Sequence, residues 1–339
     1  MASNVGALLL LLLLAVWIGS PKAESLALLV EDEAIFRSSD GFSCPSSDPL
    51  LYYRPVIGIL THPGDGVNGR LSNATNASNI PASCVRFVES GGARVIPIIY
   101  NEPEDLIIQK LNLVNGVLLT GGWAKTGLYY DVAKKIFEIV LTKNDAGDHF
   151  PLLAVCLGFE LLSMFISQNN DICERFYGEI RASTLQFSIS ETNGTLFERF
   201  PPDLLTKMSK ECLAMQNHLF GISPKRLQEN SALSSFFKIL TTTADTNNED
   251  YISTAQAYNY PVIAFQWHPE KNAFDWGSNE IPHSEDAVRV TQNTANYFIS
   301  EARKSSSRPD DPVMLLSHLI YNHKPAYAGE GYDEVYIFT

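Results

Sequence analysis

Short apolar runs alternate with stretches of helical spacing along the first half of the chain. Strands are predicted at 55–60, 93–99, 116–120 and 152–155, and helices at 80–90, 104–111 and 129–141. Apolar runs of this length with turn-forming flanks are typical of buried strands, whereas spacings of three and four indicate helices. A repeated strand–helix order favours parallel strands with crossover helices. The pattern therefore predicts an α/β fold with an open, mostly parallel sheet and helices on both faces.

The second half of the chain is less regular. Polar and apolar residues alternate from Gly178 to Phe200, which predicts one or two antiparallel strands. Further strands are predicted at 236–243, 251–257 and 262–265, and a closing helix at 285–303. Residues 304–312 have the composition of a linker, and five aromatic side chains follow in 318–339. We expect one domain at 54–304 and a carboxyl-terminal tail, 305–339, that packs on it.

The amino terminus has the features of a targeting segment. The apolar run Leu8–Ile18 is too short for a membrane span of about 20 residues. Small and helix-breaking residues follow it, which predicts a signal peptide at 1–23 and a surface leader at 24–53. Because positive charges are missing before the run, a retained anchor stays the alternative. Three N-x-[ST] sequons, at Asn73, Asn76 and Asn193, are predicted glycosylation sites and favour the secretory pathway.

Net charge and cysteine content limit the classes of ligand and of chemistry that fit this chain. The chain has 25 Lys and Arg against 38 Asp and Glu, a net charge of −13, which argues against nucleic-acid binding. An acidic substrate would therefore need a Lys or Arg in its cleft, and the sequence does not reveal which one. The pairing of four of the five cysteines stays open, and these are Cys44, Cys84, Cys173 and Cys212. The fifth, Cys156, carries the main chemical signal.

Cys156 follows the apolar run Leu152–Val155 directly and precedes a helical pattern. A strand that turns into a helix without a loop exposes one residue on a tight turn, provided that small residues lie two positions away on each side. Ala154 and Gly158 meet this requirement. A helix N-terminus favours a reactive thiolate. The sequence predicts that Cys156 is a nucleophile, although taken alone it could equally be a buried structural cysteine.

His268 ends a second apolar strand, 262–265, in the segment Gln266–Glu270. Pro269 stops the strand because it lacks an N–H group. Glu270 lies two residues beyond the histidine and can orient its ring. A cysteine nucleophile, a histidine base and an orienting carboxylate form the thiol variant of a catalytic triad. We therefore predict Cys156, His268 and Glu270 as the catalytic residues, and no metal site.

Two glycines are predicted to form part of an oxyanion hole. Gly121 and Gly122 follow the strand at 116–120, so their backbone can approach a ligand closely. Their N–H groups and that of Leu157 are the predicted donors to a developing oxyanion. His62 lies in a loop rich in Gly and Pro, and we interpret it as a solvated loop residue rather than a ligand.

These segments carry a family resemblance. Thr120–Gly122, Cys156–Glu160 and Gln266–Glu270 resemble the class I glutamine amidotransferase-type hydrolases, and within them the gamma-glutamyl hydrolases. Matching stretches extend over about 54–303 and include 54–59, 92–97 and 216–218. The resemblance implies a flavodoxin-like fold, folylpolyglutamate substrates, a thioester intermediate and no cofactor. It further implies a vacuolar or extracellular location, after removal of the signal peptide, and leaves a homodimer open.

The resemblance also implies substrate contacts for His218 and Glu160. From the residues alone, His218 is as well explained as a core histidine, and Glu160 lies on the helix face of Cys156, four residues on. Two other functions remain open. One is the glutaminase half of an amidotransferase, which would need a synthase partner to use the ammonia. The other is an inactive binding glycoprotein with the same fold.

Overall fold

The computed structural model describes residues 46–309, 311–329 and 331–339, so the predicted signal peptide and most of the leader lie outside the described residues. The strands are β1 (Val56–Leu60), β2 (His62–Pro63), β3 (Ser78–Pro81), β4 (Arg94–Ile98), β5 (Val117–Leu119), β6 (Leu152–Val155), β7 (Glu174–Ser183), β8 (Gln186–Phe187), β9 (Ala214–Gly221), β10 (Phe237–Ala244), β11 (Asp250–Ala257), β12 (Val262–Phe265), β13 (Ala326–Tyr327) and β14 (Glu334–Phe338).

Helices connect most of these strands. They are α1 (Ala82–Ser90), α2 (Glu104–Asn112), α3 (Leu128–Asp145), α4 (Leu157–Ser167), α5 (Pro202–Met208), α6 (Pro224–Glu229), α7 (Ser231–Phe236), α8 (Lys271–Phe274), α9 (Glu285–Ala302) and α10 (Pro312–His318), with 3₁₀ turns at Leu196–Arg199 and Ile320–Asn322. Among the described residues, no helix is both long and apolar enough to cross a membrane.

The central sheet has the spatial order β4-β1-β5-β6-β12-β11-β10-β8. Strands β4 to β12 in this order pair in parallel, and β11, β10 and β8 extend the sheet with antiparallel pairs. Numbered along the chain, the parallel strands have the order 2-1-3-4-5, which is the flavodoxin-like order. The predicted fold class is confirmed. The strand order reverses between β1 and β5, and ligands bind at such a switch point.

Both faces of the sheet are covered. One core packs α2, α3, α4 and α7 against the sheet, with Leu119 and Ala154 among its members. The other packs α1 and α9 against the alternate residues, such as Leu118 and Val155. All positions of β1, β5, β6 and β12 are buried, as expected of parallel strands covered on both faces. The packing on both faces therefore fixes the strand ends, and with them the backbone of the residues that follow.

Two smaller sheets complete the fold. β14 pairs antiparallel with β3, so the end of the chain adds to a sheet of order β13-β14-β3-β2. Val335 and Phe338 of this tail are buried. β7 and β9 form a separate antiparallel pair with register shifts between Arg175 and Arg181. This pair borders the site.

Several element boundaries differ from the prediction. Helix α1 begins at Ala82 rather than Ile80, because Ile80 pairs with Tyr336 of the tail. β10 begins one residue later than predicted, because α7 ends at Phe236. The predicted alternation to Phe200 ends earlier, since Leu196–Arg199 forms a 3₁₀ turn. Strand β9 was not predicted, because its sequence, Ala-Met-Gln-Asn-His-Leu-Phe-Gly, does not alternate polar and apolar residues.

Candidate active site

Cys156 occupies a strained turn between β6 and α4. Its backbone has φ 52° and ψ −106°, in a region that residues other than glycine rarely adopt. The turn depends on its small neighbour, since a Cβ atom on Gly158 would lie 2.7 Å from the carbonyl oxygen of Leu119. The N–H of Cys156 donates to the Phe265 carbonyl oxygen at 2.6 Å. The side chain is thus held at the carboxyl edge of the sheet, as the elbow pattern predicts.

His268 lies beside this turn because β12 is the parallel neighbour of β6. Val155 and Phe265 are paired, so the residues that follow both strands emerge together. The His268 N–H donates to the Met215 carbonyl oxygen at 2.8 Å, which anchors the segment to β9. His268 Nδ1 lies 2.8 Å from Glu270 Oε1, and both side chains are buried. The predicted pairing of histidine and carboxylate is present in the structure.

The surroundings of the His268 ring favour its protonated form. Burial by itself lowers its pKa, but the Glu270 carboxylate and the neighbouring Cys156 more than offset this and raise the pKa to about 10. No hydrogen bond of ordinary geometry joins the ring to the thiol, and Nε2 is buried without a partner. A Cβ atom on Gly121 would lie 2.9 Å from His268 Cε1 and 3.5 Å from Cys156 Cβ. The Gly121 backbone, the His268 ring and the Cys156 side chain therefore lie next to one another.

His62 is not a solvated loop residue, so that prediction is wrong. Its side chain is only 4% exposed, and Nε2 accepts hydrogen bonds from the N–H groups of Trp123 at 3.0 Å and Ala124 at 3.2 Å. The Nδ1 atom lies 2.9 Å from the Pro63 carbonyl oxygen and donates to it, which fixes the tautomer. Burial lowers the pKa of His62 to about 4. The neutral ring thus holds the loop that follows Gly122.

Gly122 is required by this packing. A Cβ atom there would lie 2.3 Å from His62 Cδ2, far inside van der Waals contact. Trp123 and Tyr129 pack edge-to-face on the same imidazole, with centroid distances of 5.1 and 5.2 Å. Sequence reasoning missed this role of His62. The available signal was its position, because it follows β1 at the switch point of the sheet.

A cleft of about 270 Å³ opens next to Cys156. Its lining consists of Gly122, Trp123, Lys125, Cys156, Glu160, Glu179, Asn217, His218, Leu219 and Phe220. The two predicted substrate-contact residues, Glu160 and His218, therefore share one cleft with the predicted nucleophile. A larger depression of about 760 Å³ lies at the opposite, amino-terminal edge of the sheet, beside Gly147 and Pro261. None of the predicted catalytic residues lines it, so the smaller cleft is the candidate site.

Glu160 is a buried carboxylate with two partners. Its Oε2 atom lies 2.5 Å from Lys125 Nζ, and its Oε1 atom accepts a hydrogen bond from Gln266 Nε2 at 3.2 Å. Burial raises the pKa of Glu160, and the contacts with Lys125 oppose this shift. Lys125 is a second residue that sequence reasoning missed, since an isolated lysine after a glycine turn carries no recognisable signal.

His218 belongs to β9 and faces the same cleft. Its Nδ1 atom lies 2.9 Å from the Phe220 carbonyl oxygen, and its Nε2 atom lies 3.2 Å from Gln216 Oε1. Burial, followed by the nearby His268, lowers the pKa of His218 to about 3. The ring also packs edge-on against Tyr251. His218 is therefore a neutral residue of the cleft wall.

The structure also places the remaining predicted residues. Leu157 is the first residue of α4, and the first N–H groups of a helix have no partner within it. Asn73, Asn76 and Asn193 are exposed. Cys84, Cys156, Cys173 and Cys212 are free, whereas Cys44 lies outside the described residues. Within 46–309, 311–329 and 331–339, no group of three or more His, Cys, Asp or Glu side chains is arranged to hold a metal ion.

Known proteins are similar in sequence to this chain along most of its length. Gamma-glutamyl hydrolase 2 of Arabidopsis thaliana is 60% identical, over 94% of this chain and 92% of its own. Gamma-glutamyl hydrolase of Mus musculus is 37% identical, over 89% of this chain and 94% of its own. The solved structure of a glutamine amidotransferase from Thermotoga maritima matches with a TM-score of 0.37 and 15% identity, over 78% of this chain and 90% of its own.

The family model of peptidase C26 matches residues 55–270. This range contains the glycine turn, the Cys156 elbow and the His268–Glu270 segment, which carried the resemblance seen in the sequence. The similarity to the Arabidopsis and mouse proteins continues beyond it. The chain therefore belongs to the peptidase C26 family.

Proposed function

We propose that this protein is a cysteine hydrolase that cleaves the gamma-glutamyl bonds of folylpolyglutamates. One observation carries the proposal: Cys156 is held on a strained turn beside His268, whose Nδ1 atom lies 2.8 Å from Glu270. Relatives that align over most of the chain are gamma-glutamyl hydrolases, which supports the bond type.

In the first half of the reaction, the Cys156 sulfur attacks the γ-carbonyl carbon and a C–S bond forms. The N–H groups of Leu157 and of Gly121 or Gly122 stabilise the oxyanion, and each such donor is typically worth roughly 10²–10³ in rate. When the C–N bond breaks, imidazolium His268 gives a proton to the leaving amine. The products are a thioester and a released glutamate or glutamate chain. The raised pKa of His268, to about 10, supports a protonated ring at this stage.

In the second half, His268 takes a proton from water and the resulting hydroxide attacks the thioester. The C–S bond then breaks and the Cys156 thiolate returns. Glu270 keeps the ring oriented throughout, because its carboxylate holds Nδ1. His218 contacts the bound substrate, as its position in the cleft supports, and Glu160 lines the same cleft. The reaction as written needs neither metal nor cofactor.

We further propose that the protein enters the secretory pathway and acts in the vacuole or outside the cell. The predicted signal peptide and the exposed sequon residues Asn73, Asn76 and Asn193 support this. A homodimer is also proposed, on the family resemblance alone. Enzymatic removal of glycans, followed by mass spectrometry, would test the sequons. Sedimentation of the purified protein would test the dimer.

The function is tested by incubating the purified protein with pteroylpentaglutamate and separating the products by chromatography. Wild type is expected to release shortened folates, and Cys156→Ala none. The matched control is Cys212→Ala, which removes a free, exposed thiol and should leave the activity intact. If glutamine is hydrolysed and the folate is not, the protein is a glutaminase. If both survive intact, it is a binding protein.

A further inference from the structure

The charges that line the active-site cleft are unevenly distributed. Among the described residues of its lining, Lys125 is the only lysine or arginine, whereas Glu160 and Glu179 are both acidic. His218 adds no positive charge near neutral pH, because burial lowers its pKa to about 3. The whole chain carries a net charge of −13. Lys125 is therefore the residue of this lining that can pair with an anionic group of a substrate.

Lys125 is held in place from two sides. Its Nζ atom lies 2.5 Å from Glu160 Oε2 and 3.7 Å from the centroid of the Phe220 ring. An ammonium group has three donors, so the bond to Glu160 leaves others for a ligand. The Lys125 side chain is 25% exposed, whereas the Glu160 side chain is only 5% exposed. The pair thus presents its cation, rather than its anion, to solvent.

The position of Lys125 relative to the nucleophile fits one group of the substrate. The Glu160 N–H donates to the Cys156 carbonyl oxygen at 3.1 Å, so Glu160 and its partner Lys125 lie about one helical turn, about 5.4 Å, from the nucleophile. In a γ-linked glutamate, three carbon atoms separate the scissile carbonyl from the free α-carboxylate. With C–C bonds of about 1.5 Å, these groups are about 5 Å apart when extended.

We propose that Lys125 binds the α-carboxylate of the glutamyl unit whose γ-carbonyl is attacked, and so favours substrates that carry this carboxylate. This inference rests on the proposed hydrolase function. Glu160 acts as the positioning residue that holds the ammonium group over the cleft, and the Phe220 ring supports it through a cation–π contact.

The test compares two substrates of equal length. One is pteroylpentaglutamate, and in the other 4-aminobutyrate, which lacks the α-carboxylate, replaces every glutamate but the last. Wild type is expected to prefer the natural substrate in kcat/KM. Lys125→Met should reduce this preference by roughly 10- to 100-fold, the usual effect of losing a hydrogen bond between charged groups. Lys125→Arg, which keeps the charge, should retain most of it.

Two further variants control for stability and for charge. Lys125→Met leaves the buried Glu160 without its cation, so the double variant Lys125→Met/Glu160→Gln removes both charges and should lose the preference as well. Lys134→Met removes an exposed lysine of α3 and should keep it. An unchanged preference in a folded Lys125→Met or double variant would overturn the role of Lys125 alone. If wild type cleaves neither substrate, the proposed hydrolase function fails with it.

Discussion

The Nε2 atom of His62 lies 3.0 Å from the backbone nitrogen of Trp123 and accepts its hydrogen. The same atom accepts the N–H of Ala124 at 3.2 Å. One neutral imidazole thus fixes the backbone that directly follows the two glycines of the predicted oxyanion hole. In this way the loop after β1 controls the geometry of the loop after β5, across the switch point of the sheet.

We expect His62→Ala to lower kcat for γ-glutamyl hydrolysis by roughly 10²-fold, about the effect of losing one oxyanion donor. The reason is that the N–H groups of Trp123 and Ala124 would lose their acceptor, so the backbone after Gly122 would no longer be fixed. His62→Asn offers a side-chain oxygen and should recover part of the rate. Steady-state kinetics decide this, and an equal loss in kcat and in 1/KM would point to general disruption instead.

A pH effect follows from the same contact. Because burial lowers the pKa of His62 to about 4, the ring is neutral and can accept hydrogen bonds above that pH. Below about pH 4 it becomes protonated and Nε2 can no longer accept. We expect an acid limb in kcat near this pH in wild type, and its loss in His62→Asn, measured within the range where circular dichroism shows a folded protein. An identical limb in both proteins would assign it to another group.

Gly122 and His62 should be energetically coupled. Gly122→Ala places a methyl group 2.3 Å from His62 Cδ2, so we expect a loss of about 1–3 kcal/mol in the free energy of unfolding. In the His62→Ala background the space is open and the loss should be smaller. Urea denaturation of both single variants and the double variant measures the coupling. Additive losses would contradict the direct contact.

Glu270→Gln should weaken catalysis through His268. The Glu270 carboxylate is a main reason why the pKa of His268 is raised to about 10, so its removal lowers that pKa and leaves less imidazolium at neutral pH. We expect kcat to fall by roughly 10²-fold or more and the alkaline limb of the pH profile to move to lower pH. The exposed Glu280→Gln is the matched control. A profile that keeps its alkaline limb in Glu270→Gln would refute this coupling.

The buried ion pair next to the site should matter for stability. Lys271 Nζ lies 2.5 Å from Asp275 Oδ2, and both side chains are almost fully buried. Asp275→Asn keeps an acceptor for the N–H groups of Gly277 and Asp333 but leaves the Lys271 charge unpaired, at a cost of about 3–5 kcal/mol. Lys271→Met/Asp275→Asn should regain much of this in urea denaturation. Glu229→Gln, in an exposed pair, should change little.

Much of the site could be predicted because its main residues lie directly after buried strands. The apolar runs before Cys156 and His268 identified β6 and β12, and parallel neighbours bring their ends to one edge. Where the sequence pattern was weak, prediction failed. Strand β9 is fixed by hydrogen bonds with β7 and with the His268 N–H, whereas its sequence, Ala-Met-Gln-Asn-His-Leu-Phe-Gly, does not alternate polar and apolar residues. His218 therefore could not be assigned to a strand.

Local periodicity and short motifs were enough to identify the α/β fold, the family and the residues at the elbow. The environment of His62 and Lys125 became visible only in the folded chain. Neither residue has a local pattern, and each gains its role from groups distant in the chain: Trp123 for His62, and Glu160 and Phe220 for Lys125. Burial and charge pairing are properties of the packed fold, so a linear pattern does not contain them.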